Sequence, residues 1–91
     1  MTLPDPSTRI RLGQADRGLT GTIHSVDARS VSSALSATEL ESRLLELGFV
    51  EGARIEVLHQ GTVGRDPIAV RVDNITVAIR RREAMAITVA R

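Results

Sequence analysis

The sequence predicts a mainly β domain: a small, strongly bent antiparallel sheet that rolls into a partly open barrel of five to six strands, with one short α-helix. Three observations carry this reading. Branched apolar residues alternate with polar or small ones in several short runs. Only the stretch around Leu40, Leu44 and Leu47 has helical spacing. The strand runs are so short, and so often separated by turn residues, that a flat sheet would leave long unprotected edges, which closure into a barrel hides.

The elements follow in order. The first eight residues, with Pro4 and Pro6 and no apolar period, read as a flexible tail, and residues 9–91 as one domain. Several glycines precede a β-rich run, Thr20 to Val26, which reads as the first strand, starting near Leu19. The polar stretch from Asp27 to Thr38 is a loop or the lead into a helix. Leu40, Leu44 and Leu47 stand at i, i+4 and i+7, with Glu41, Ser42, Arg43 and Glu46 between them, so one stripe is apolar and the rest is wet. Either Ser36 with Glu39 or Thr38 with Glu41 can form the capping box that starts this helix, and Glu39 can pair with Arg43.

Gly48 marks the helix end. A glycine at C′ closes a Schellman motif, which sets Leu44 at C3 against Phe49 at C″. Phe49 is the only aromatic residue, so it is expected in the core and not as an exposed binding side chain. "VEGA" then reads as a tight turn in which Gly52 supplies positive φ. Four alternating runs follow: Ile55 and Val57; Ile68, Val70 and Val72; Ile75, Val77 and Ile79; Ile87 and Val89. Asp73-Asn74 between two of them is a hairpin signal, and Pro67 suits the start of a strand.

Composition narrows the function classes. Ninety-one residues with 42% hydrophobic and 25% charged side chains and a net charge of +1 describe one ordinary folded domain, neither a disordered chain nor an electrostatic polyanion binder. All twelve basic residues are arginines. The absence of cysteine excludes disulfides, thiolate metal sites and cysteine nucleophiles together. No run reaches the roughly 18 apolar residues of a membrane helix, and the N-terminus lacks a basic segment followed by an apolar core, so a cytoplasmic location is expected with no membrane insertion.

Residues that could carry chemistry are few. His24 and His59 fall on different predicted strands and lack His-x-His or His-Glu-x-x-His spacing, so a metal site there would need carboxylates supplied by the fold. The serines crowd between Ser25 and Ser36 with no Gly-x-Ser-x-Gly elbow, and no enzyme is expected. Arg80, Arg81 and Arg82 form the one basic run, followed by Glu83. Such a run is ordinarily a solvated strand end; its functional reading is a contact for acidic partner residues or phosphate. Nucleic acid is not expected, because the chain has no exposed aromatics to stack on bases.

Taken in order, "RLLELGFVEGARIEVL", "DPIAVRV" and "ITVAIRRREAMAITV" resemble the FeoA family of small cytoplasmic proteins of bacterial ferrous iron transport, from about Gly18 to Val89. The resemblance implies an SH3-like barrel and a short helical turn at Glu83-Ala84. It also implies an accessory or regulatory module that contacts FeoB, the membrane transporter with a cytoplasmic G-protein domain, at the inner face of the membrane. A related domain forms the C-terminal part of iron-dependent repressors, so an alternative is a divalent-metal sensor that takes Fe²⁺ through His24, His59 and nearby carboxylates. The chain departs from the pattern in "FVEG", in its N-terminal extension, in the Asp73-Asn74 turn and in the length of the segment from Val26 to Ala37.

Overall fold

The computed structural model describes residues 8–31 and 33–91; most of the predicted N-terminal tail lies outside the described residues. The chain runs β1 (Arg9–Arg11), a 3-10 turn (Leu12–Gln14), β2 (Thr20–Val26), α1 (Ala37–Glu46), β3 (Arg54–Gln60), β4 (Ile68–Val72), β5 (Ile75–Ile79), α2 (Arg81–Ala84) and β6 (Ile87–Ala90). All strands belong to one antiparallel sheet in the order β1-β6-β2-β3-β4-β5. Its two end strands, β1 and β5, do not pair with each other, so the barrel is partly open.

The bend has a local cause. The β2–β6 register shifts between Ile23 and Ser25, and the β3–β4 register shifts between Val57 and His59. An extra residue on one strand kinks that strand and increases its twist, which curls the sheet around its core face. That face carries Ile23, Ile55, Val57, Ile68, Val70, Val72, Ile79, Ile87 and Val89, all buried. Leu40 and Leu44 of α1, Leu12 of the 3-10 turn and Phe49 close over it, and among the described residues no polar or charged one is buried.

The helix starts at Ser36, whose Oγ accepts a hydrogen bond from the amide of Glu39 at 3.2 Å. The Ser36 hydroxyl donates to the Glu39 carboxylate at 2.9 Å. That bond accounts for the absence of the expected Glu39–Arg43 pair, since the carboxylate turns back to the cap. Glu41 instead accepts from the amide of Ala28 at 2.9 Å, which ties the β2–α1 loop to the helix.

At the helix end both Schellman bonds are present: Phe49 N–H donates to Leu44 C=O at 3.0 Å, and Gly48 N–H to Leu45 C=O at 3.0 Å. Gly48 has φ 102° and Phe49 is 0% exposed, as the sequence predicts. The next turn closes from Ala53 N–H to Val50 C=O at 3.0 Å, with Gly52 at φ 84°. Gly52 N–H donates to Ile23 C=O and Ile23 N–H to Ala53 C=O, so the turn is bonded directly to β2.

The first strand differs from expectation. Arg9–Arg11 precedes Thr20–Val26 and pairs with β6, a three-residue strand held by its partner and too short to show a period.

Phe49→Ala should destabilise the domain by about 3–5 kcal/mol, a large share of a small domain's stability, and thermal melting followed by circular dichroism will show it. A Cβ at Gly48 would meet only the Val72 side chain at 3.5 Å, an ordinary contact. The loss in Gly48→Ala is therefore conformational, about 1–2 kcal/mol for an alanine held in the left-handed region.

In the β2–α1 loop the Arg29 side chain grips Asp27 with a fork of hydrogen bonds, the shortest from Nη2 to Oδ2 at 2.6 Å. This fork, aided by the Arg29 amide, lowers the Asp27 carboxyl from 3.8 to about 2. A carboxyl lowered in the folded state contributes stability above its unfolded value and loses it as pH falls through the folded value. A carboxyl-detected NMR titration should place the Asp27 midpoint at about 2, and Arg29→Ala should return it to the ordinary aspartate range.

A candidate partner-binding corner

The three consecutive arginines close the β5–β6 connection, and the fold gives each a different position. Arg80 caps α2, and it and Arg82 are exposed. Arg81 turns inward and is half-buried. Its Nη1 donates to the carbonyls of Ala15 at 2.7 Å and Gly13 at 3.2 Å. Its Nε donates to the Arg65 carbonyl at 2.7 Å and its Nη2 to Gln60 Oε1 at 2.9 Å. One planar guanidinium thus joins the segment after β1, the end of β3 and the β3–β4 loop, a task that its rigid fork of donors suits and a lysine ammonium does not.

Neighbouring groups complete the corner. Asp66 Oδ1 accepts from the backbone amide of Arg81 at 2.8 Å, satisfying a free donor at the start of α2. Arg65 pairs with Asp16, and its Nε also reaches Gln60 Oε1 at 3.3 Å. The sequence does hold a signal for the role of Arg81. Ile75, Val77, Ile79 and Arg81 share one parity, the parity of the core face, whereas Arg80 and Arg82 have the opposite one.

Beside the corner a groove of about 360 Å³ runs between the last turns of α1 and the end of β5. Leu44, Leu47, Ala78 and Ile79 give it an apolar floor, and Arg43, Arg80 and Glu83 provide its charged rim. Arg43 and Arg80 are both exposed. The arrangement suits a segment that offers an apolar side chain to the floor and an acidic group to the rim.

The two histidines do not meet. His24 is exposed at the β2 bulge, near the Gly52 turn, and His59 is exposed at the far end of β3. Gly18 N–H bonds to Val57 C=O and Ile23 N–H to Ala53 C=O, which sets the histidines at opposite ends of the β2–β3 ladder. Among the described residues no three His, Cys, Asp or Glu side chains cluster as metal ligands, and no helix is long and apolar enough to cross a membrane.

Comparison with known proteins places this geometry in a family. The FeoA domain model matches residues 10–91. The FeoA protein from Chlorobium tepidum is 31% identical over 89% of this chain and 69% of its own, with a TM-score of 0.70. FeoA of Stenotrophomonas maltophilia, solved in complex with zinc and described as an SH3 domain protein, is 30% identical over 88% of each chain, with a TM-score of 0.69. A manganese-dependent transcriptional repressor superposes with a TM-score of 0.71 at 25% identity, over 97% of this chain but 44% of its own. No curated protein matches the chain. A match across nearly the whole barrel, together with relatives at this identity, makes the chain a member of the FeoA family with its SH3-like fold.

Proposed function

We propose that the protein is a non-enzymatic accessory module of bacterial ferrous iron uptake that docks on the cytoplasmic part of the FeoB transporter. The observation that carries this reading is the FeoA domain match over residues 10–91. The S. maltophilia relative, described as possibly a ferrous iron transport activating factor, supports the same role. Arg80 and Arg82, with Arg43 across the groove, are the exposed cations that would meet acidic groups of the transporter. Arg81 acts differently: it holds the corner in the shape that presents its two neighbours.

Co-purification with the cognate FeoB tests the reading, and a blank result at high micromolar protein would sink it. Reversing Arg80 and Arg82 together to glutamate should lower FeoB affinity at least about tenfold, or about 1.4 kcal/mol, with the melting temperature unchanged. Arg81→Ala should instead lower thermal stability by about 2–3 kcal/mol, because several acceptors lose one charged donor together.

A second reading is divalent metal binding at His24 or His59, favoured by the zinc complex of the S. maltophilia relative. With the histidines at opposite ends of the ladder, each would act separately, with water or a single carboxylate completing the ligand set. Zn²⁺ titration followed through both imidazole NMR signals decides it. A specific change at one histidine below millimolar metal supports the reading, and none removes it.

A further inference from the structure

Among the described residues the sheet ends in two free edges that differ in kind. β1 is three residues long and exposes Arg9 and Arg11, and short length and edge charge are both devices that block strand addition. β5 reads ITVAI, with no charge, no proline and no register shift against β4. It is the unprotected edge.

The register shows which of its main-chain groups are free. Val72 and Ile75 close a two-residue hairpin, so they form a hydrogen-bonded pair, and by alternation so do Val70 with Val77 and Ile68 with Ile79. The amides and carbonyls of Thr76 and Ala78 therefore point away from β4. Both residues are exposed, and no turn, loop or cap bond among the described residues takes up their main-chain groups. Ile75 lies on the same face as buried Val72, yet it is 61% exposed, since no described residue covers the sheet there.

We infer that β5 pairs antiparallel with β5 of a second copy of this chain about a twofold axis at Val77. In that register Thr76 faces the partner's Ala78 and exchanges both main-chain hydrogen bonds with it, and the symmetry repeats the exchange. Val77 meets the partner's Val77. Ile75 lies beside the partner's Ile79, on the floor of the groove that Leu44 and Leu47 also line.

Charge argues for a second copy as the occupant. β5 begins after Asp73 and ends at Arg80 and Arg82, all exposed. The antiparallel twofold sets the acidic turn of each copy beside the basic end of the other, and a parallel arrangement would set like ends together. An isologous contact needs such self-complementarity, and this strand has it in register, in shape and in charge.

Sedimentation of the full chain up to about 1 mM tests the inference, with a dimer expected to form between about 10 µM and 1 mM, as suits a small strand-edge contact. Thr76→Pro removes an outward donor and leaves every β4–β5 hydrogen bond in place, so it should weaken the dimer at least about tenfold. Ile75→Lys, on an exposed side chain, should do the same through edge charge and covers the case in which the proline variant fails to fold. In both variants the monomer should melt as the parent does. A chain that remains monomeric at about 1 mM overturns the inference and leaves the edge to an extended segment of another protein. A dimer that Ile75→Lys leaves intact overturns it as well, since the contact then lies elsewhere.

Discussion

The burial of Phe49 behind the end of α1 is the constraint on which the rest of the barrel depends. A chain of 91 residues with one aromatic side chain has a single large plug for its core, and that plug must arrive in the right place. The paired bonds from Phe49 to Leu44 and from Gly48 to Leu45 fix where the chain leaves the helix. The Val50–Ala53 turn then follows at once, and its bonds to Ile23 set β3 against β2. From that contact the registers of β2, β3 and β4 propagate, each placing branched side chains in the core that Phe49 shares. One local motif thus decides which face of three strands is inside.

Arg81 does the corresponding work at the other end. Its four side-chain acceptors are three carbonyls and one amide oxygen, all neutral. A carboxylate partner would give a stronger pair but would reach one segment only. Spreading the donors over Gly13, Ala15, Gln60 and Arg65 joins pieces of chain that share no strand pairing there. The 3-10 turn after β1, the β3–β4 loop and α2 are thereby held as one corner.

Much of this is legible in the sequence, and the exceptions have physical causes. The helix, its glycine cap, the buried aromatic and the strands from Thr20 onward follow from period and turn chemistry, which are local. Spacing alone leaves Ser36 and Thr38 equal as caps; the helix takes Ser36, and Glu41 accepts instead from the Ala28 amide thirteen residues away, a contact that spacing does not contain. β1 escapes because three residues carry no period and exist as a strand only through β6. Arg81 escapes because a run of three arginines reads as one surface feature until the parity of β5 is carried past its end. The separation of His24 from His59 depends on which ends of β2 and β3 meet, and spacing alone does not contain that.

The free edge and the groove are two aspects of one strand. Ala78 and Ile79 line the groove, and the main-chain groups of Ala78 form part of the edge. A strand added at Thr76 and Ala78 brings an apolar side chain onto the groove floor, so whatever occupies the edge also fills much of the groove. A transporter segment that docks between Arg43 and Arg80 and a second copy paired at Val77 would then exclude each other. The competition follows from size: a domain this small has one long helix, α1, and the place where α1 stops covering the sheet is both where the apolar floor opens and where the last strand lacks a neighbour among the described residues.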